Sequence, residues 1–155
     1  SSRRCPSPAT PGRPSAHRRA RSPWCFVNQV AAACGNKADR SHRGSSRLDE
    51  VGWYWENSGG ETHAVGQKQR NVLGLSDMSG NVWEWVEDDW HDNYDKAPLE
   101  EACWTESPRG LIRVLRGGGW NTNPVHCRVS ARYYYEPVYR DSDVGFRLAR
   151  SASFL

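Results

Sequence analysis

The sequence predicts an α+β, loop-rich domain of short antiparallel strands, preceded by a disordered basic leader. Three observations carry that expectation. Seven of the eight tryptophans follow residue 49, and chains that stay unfolded are poor in large aromatics. Short runs of period two alternate with Gly, Asn and Pro turns, while no segment holds a long 3.6-residue period. Charge also divides the chain: residues 1–48 carry a net +9 and residues 49–155 a net −6. A length of 155 residues suits one domain with a tail rather than two domains.

Residues 1–48 are rich in Ser, Arg and Pro. Only Trp24 to Cys34 (WCFVNQVAAAC) has the composition of a short helix. A basic arm of this kind adsorbs weakly to polyanions and does so in a salt-sensitive way. No aromatics interleave the arginines and no nucleic-acid motif is present, so no specific nucleic-acid partner is expected. The chain has no apolar run of eighteen residues, so no membrane span is expected. The first thirty residues contain no apolar core of the kind a secretory signal carries. The cysteines stand at 5, 25, 34, 103 and 127. They form no CxxC and no zinc-finger spacing, their number is odd, and free thiols are the default expectation.

The domain proper is placed at 49–155. Val82 to Glu87 (VWEWVE) alternates, with Trp83 and Trp85 on one face. Arg113 to Arg116 (RVLR) is a shorter candidate strand. Cys127 to Arg132 (CRVSAR) and Val144 to Leu148 (VGFRL) alternate as well. Each is bounded by turn residues: SGN at 79–81, GGG at 117–119, NTNP at 121–124 and RDSD at 140–143. Trp83, Trp85 and Trp120 are assigned to core packing, because large aromatics supply most of the apolar area of so small a fold. The acidic run Glu84, Glu87, Asp88, Asp89 and Asp92 is read as a solvated face, or as partners of Arg116, Arg128 and Arg147. No Ser/His/Asp order, phosphate loop or metalloprotease motif accompanies it.

Three blocks in order, NVLGLSDMSGNVWEWVEDDW (71–90), RVLRGGGW (113–120) and VGFRLAR (144–150), resemble the formylglycine-generating enzyme (sulfatase-modifying factor) family over its C-terminal half. That resemblance implies a C-type lectin-like fold. It also implies two copper(I)-binding cysteines five positions apart, which fall here on Thr122 and Cys127. One thiolate does not make a two-coordinate copper(I) site, so copper is not expected and an enzyme is disfavoured. A structural Ca²⁺ is implied at Asp77 and Glu84 through their side chains and at Gly80 and Val82 through their carbonyls; hard oxygen ligands around a tight turn suit that ion.

The stretch WNTNPVHCRVSARYYYEPVYRDSDVGFR (120–147) is similar to the variable region of diversity-generating retroelement variable proteins. The framework agrees at Trp120, Asn121, Asn123, Pro124, Cys127, Arg128, Arg132, Pro137, Arg140, Gly145, Phe146 and Arg147, within a variable region spanning about 113–150. The differences fall where that pattern carries asparagine, and all but Glu136 are residues that adenine-directed mutagenesis of asparagine codons yields. The resemblance implies a diversified ligand surface at Thr122, His126, Ala131, Tyr133, Tyr135, Tyr139, Asp141, Ser142 and Asp143, to which the tyrosine run adds Tyr134. The residue chemistry agrees. Tyrosine offers rigid contact area and a hydroxyl at low entropy cost, and Asp, Ser and Arg add adaptable polar contacts. By alternation at least one of Tyr133, Tyr134 and Tyr135 is expected to be buried. The expectation is a non-catalytic binding protein with a protein partner. The alternatives are a formylglycine-generating oxidase acting on a protein cysteine and a calcium-dependent lectin-like module.

Overall fold

The structure, a computed structural model, describes Ser45 and residues 47–71, 73–98 and 103–148. The expected helix at 24–34 and nearly all of the basic leader lie outside the described residues. Among the described residues no helix is long and apolar enough to cross a membrane.

The folded part opens with one helical turn, α1 (Leu48–Val51). Its sequence, LDEV, puts Leu48 and Val51 three apart on one face. Both are buried, in a cluster with Tyr54 and Cys127. Asp49 and Glu50 lie in the first turn, where a helix N-terminus favours negative charge. Tyr54 is fixed by donating from Oη to Asp49 Oδ1 at 2.6 Å, and that bond to a carboxylate raises its phenol pKa.

The loops are knitted together at the SGN turn. Gly80 N donates to Gly117 O and Asn81 N to Trp53 O, both at 2.7 Å, and Trp120 N donates back to Asn81 O at 2.7 Å. The buried Asn81 side chain pairs with both the amide and the carbonyl of His63. His63 in turn stacks on Trp53 at 3.8 Å between centroids. One buried asparagine side chain therefore serves two backbone groups that no ladder reaches, which is how a loop-rich chain keeps its buried backbone groups paired.

Four strands form one sheet in the order β3-β2-β1-β4: β1 (Trp83–Asp89), β2 (Arg113–Arg116), β3 (Tyr133–Tyr135) and β4 (Val144–Gly145). β1 and β2 are antiparallel with Trp85 opposite Leu115, and an irregularity before Asp89 shifts the register. β3 adds antiparallel to β2. Val114 and Leu115 are both buried, as a central strand covered on both faces requires.

The strands expected at 82–87 and 113–116 are present. Three expectations need correction. The run 127–132 is not a strand: Pro124 opens a 3₁₀ turn, Pro124–Cys127, since proline has a fixed φ and no N–H to give a ladder. That turn packs so tightly on Gly118 that a Cβ there would lie 2.6 Å from Cys127 Sγ. The strand begins instead at Tyr133, where aromatic side chains suit a half-buried pleated surface. The strand at 144–148 is only two residues long, and it runs parallel to β1, with Val144 opposite Trp83. β3 and β4 lie at opposite edges and point the same way, so residues 136–143 must cross the sheet between them. Of the assigned core tryptophans, Trp83 is buried while Trp85 and Trp120 are half-buried.

Candidate functional site

β3 is an edge strand, and two of its three consecutive tyrosines are exposed. Tyr133 is 41% exposed and Tyr134 is 44% exposed, and Tyr135 is half-buried. The expectation that one of the three would be buried is not met, because at the edge of a twisted sheet neither face is fully covered. The rings are nevertheless held. Tyr133 leans on Trp83 with centroids 5.6 Å apart and meets Tyr135 edge-on at 5.3 Å. Tyr135 stacks on Tyr139 at 3.8 Å, which ties the edge strand to the crossing segment. Tyr134 lies 4.5 Å from Trp90.

The polar partners of this surface are arranged around the same segment. Tyr139 Oη donates to Asp141 Oδ2 at 2.8 Å. That bond pushes the phenol well above its usual range and holds the Asp141 carboxyl below its own, helped by the Ser142 amide. Tyr133 is also raised, first by the neighbouring Tyr135 phenol. At neutral pH Tyr133 and Tyr139 are therefore uncharged phenols and Asp141 an ionised carboxylate. Asp143 Oδ2 accepts from Asn121 Nδ2 at 3.0 Å, and its carbonyl accepts from Trp83 N. Ser142 and His126 are exposed, with the His126 ring 6.3 Å from Trp83.

Thr122 and Ala131 are placed differently. Thr122 Oγ1 donates to Gly119 O at 2.8 Å, so its hydroxyl serves the GGGW turn. Ala131 is half-buried, and its carbonyl accepts from Arg116 at 2.9 Å. Thr122 Oγ1 also lies 3.7 Å from Cys127 Sγ. The two positions that the family resemblance pairs are thus neighbours in space, as an oxygen and a sulfur. Cys127 is a free, buried thiol. Burial raises its pKa, outweighing the bond from Thr122, so the thiol form is favoured. Cys103 is disulfide-bonded, which corrects the default of free thiols at that position.

Asp77, Gly80, Val82 and Glu84 line one cleft of about 400 Å³. Asp77 Oδ1 is buried without a hydrogen-bond partner, while Oδ2 accepts from Gly66 N at 2.7 Å. Glu84 is paired with Arg147 at 2.7 Å, as anticipated for one of the acids. Asp88 lies within electrostatic reach of Arg116, as anticipated, whereas Glu87 and Asp89 pair differently. Arg109, not Arg116 or Arg128, holds Glu87 at 2.8 Å and Asp89 at 3.0 Å, and Arg113 also pairs with Asp89.

Residues beyond the sequence reading continue the aromatic surface from Tyr134. The Arg132 guanidinium lies 4.2 Å over Trp90 and 4.6 Å over Tyr94, and Arg116 donates to Tyr94 Oη at 3.0 Å. Nothing periodic links residues forty apart; the only available signal is the excess of Trp and Arg flanking the strands.

Residues 23–152 match the sulfatase-modifying factor enzyme 1-like domain. Among solved structures, Treponema denticola variable protein 1 is similar with a TM-score of 0.69 at 35% identity, covering 79% of this chain and 44% of that one. PvdO from Pseudomonas aeruginosa gives 0.71 at 30% identity, covering 83% and 51%. The formylglycine-generating enzyme of Streptomyces coelicolor is 33% identical over 102 residues, 59% of this chain and 30% of the relative. The chaperone protein LppX of Paenibacillus barcinonensis is 31% identical over 141 residues, 79% of this chain and 46% of the relative. The chain spans about half the length, or less, of these relatives.

Proposed function

Because the chain belongs to the sulfatase-modifying factor enzyme 1-like family, we propose that it uses that family's scaffold, read as C-type lectin-like, for non-catalytic capture of a protein ligand on a diversified surface. The observation that carries this is the edge strand of exposed, mutually stacked tyrosines bonded into the Tyr139–Asp141 turn. Pre-stacked rings lose little freedom on binding, and Tyr beside Asp, Ser and Arg is the chemistry of a paratope. The similarity to a variable protein structure supports the same reading. The oxidase alternative needs a second thiolate where Thr122 stands, and a raised Cys127 pKa works against the thiolate it would require.

The test uses a ligand selected by panning the full chain against a displayed protein library. Replacing Tyr133, Tyr134, Tyr135 and Tyr139 together by alanine is expected to abolish capture and to lower the melting temperature by only a few degrees. A collapse of the melting transition would mean that the rings are structural. Unchanged capture would contradict the reading.

Calcium belongs to the same proposal as a structural ion. The unpartnered Asp77 oxygen beside the Gly80 turn is the donor that supports it, because a buried carboxylate oxygen is seldom left unpaired. Asp77, Gly80 and Val82 would hold the ion, with Glu84 shared between it and Arg147; the ion would brace the turn that carries β1. Melting is expected to shift upward in calcium chloride, to fall back in EDTA, and to lose this response in Asp77→Ala. Identical melting in calcium and EDTA would contradict it.

A further inference from the structure

Residues 136–143 cross the sheet above β1 and β2, and the crossing leaves a cleft of about 510 Å³. Its apolar walls are Trp85, Pro137 and Phe146, and Arg109, Arg113 and Arg140 line it as well. Phe146 is 69% exposed, so the apolar wall faces solvent. The cations are not equivalent. Arg109 and Arg113 are occupied by Glu87 and Asp89. Glu87, the one carboxylate among the described residues lining the cleft, is thereby taken up. Arg140 donates to the carbonyls of Pro137 and Tyr139, each at 2.8 Å, which positions its guanidinium without neutralising it. Three guanidiniums meet two carboxylates, and one positive charge is left over at Arg140. The neighbouring Asp141 does not line the cleft; its oxygens accept from Tyr139 and Ser142.

We propose that this cleft is an anchor pocket for an acidic side chain of the protein ligand, with Arg140 as the pairing cation and Phe146 and Trp85 packing against the flanking apolar residue. The inference rests on the ligand-binding reading above and adds the chemistry of the partner. None of the described lining residues belongs to the positions assigned to the diversified surface, so on that reading the pocket stays the same while the tyrosine surface varies. A guanidinium held at a cleft of apolar walls recognises a carboxylate more strongly than one in open water does, because the flanking surface excludes solvent.

The probe is a capped hexapeptide of alternating Glu and Leu, compared with its Gln counterpart and with a Gln peptide whose only carboxylate is its C-terminus. Titrated into the full chain and followed by amide NMR shifts, the Glu peptide is expected to bind about tenfold tighter than the Gln peptide, with shifts at Trp85, Arg140 and Phe146. Arg140→Gln should erase that preference and Arg140→Lys should keep part of it, both with melting close to the parent's. Phe146→Ala should weaken both peptides alike. The four-tyrosine variant should retain the Glu preference, which separates this pocket from the tyrosine surface. Equal binding of the Glu and Gln peptides, no binding of either, a preference kept in Arg140→Gln, or selection of the free C-terminus over Glu would each overturn the proposal.

Discussion

Gly80→Ala is expected to remove a large share of the domain's stability. Gly80 has φ +77°, and a Cβ there would lie 2.2 Å from Trp53 O and 2.8 Å from Trp53 N. Both are backbone atoms, and the Trp53 carbonyl already accepts from Asn81 N. Relief therefore means moving the turn that joins the Trp53 loop to the GGGW turn. The left-handed backbone costs a non-glycine residue about 1–2 kcal/mol, and forcing atoms into a packed site costs about 1–3 kcal/mol more. Set against a total of about 5–15 kcal/mol for a domain, the sum shifts the urea midpoint far down or leaves no folded baseline. Gly59→Ala is the control. It has a similar φ of +66° and open space around it, so it should lose only the backbone contribution. Equal losses in the two variants would show that the close approach to Trp53 is not what matters.

The second large effect is expected at Asp89. Its side chain is buried, at 2% residue exposure, and accepts from Glu106 N at 2.7 Å and from Arg109 Nε at 3.0 Å, with Arg113 as a further partner. Asp89→Ala leaves Arg113 and the Glu106 amide without their buried acceptor, while the more exposed Arg109 keeps Glu87, and losing such a buried charged acceptor costs about 3 kcal/mol. The loss should appear in chemical denaturation at pH 7. Burial works to raise the Asp89 pKa, but the Glu106 amide and Arg109 outweigh it and hold the carboxyl below its ordinary range. A depressed folded-state pKa means stability that is fully present above the unfolded value near 4 and is lost as pH falls through the folded value. Neighbouring Asp88 is raised by burial and acts in the opposite sense, relieving a cost as the solution is acidified. The parent's stability should therefore fall steeply only below about pH 4, and Asp89→Asn should flatten that fall. An acid limb of unchanged slope in Asp89→Asn would contradict the assignment.

Much of the sheet was legible because alternation reports strands that stay half-covered. VWEWVE and RVLR form β1 and β2. The failures have separate physical causes. CRVSAR alternates but follows Pro124, and the buried Cys127 is set by contact with Gly118 rather than by a pleat. YYYEP does not alternate in polarity, yet Tyr133–Tyr135 pairs with β2, since three aromatics satisfy an edge that is open on both faces. The parallel pairing of β4 depends on residues 136–143 crossing the sheet, and no local period encodes a crossing. α1 is too short to show a period, and its Leu48 lies at the end of the segment taken as leader.

The tyrosine cluster itself was legible from composition, because four tyrosines fall in one polar, proline-containing stretch. The structure displays Tyr133 and Tyr134 and shows which rings brace which. Thr122 is drawn inward by Gly119, a contact that depends on the turn closing. The Arg109 cluster escaped sequence reading because its partners lie twenty and twenty-two residues away across an irregular loop. The same holds for Arg140, whose role depends on where the crossing segment runs.

Non-catalytic holding of a protein by the tyrosine surface is measurable by amide hydrogen exchange on the full chain with a panned ligand, combined with the intact mass of that ligand after long incubation. Slowed exchange over residues 133–143 with an unaltered ligand mass is the expected result. A changed ligand mass, or protection around Cys127 with residues 133–143 exchanging as before, would contradict it.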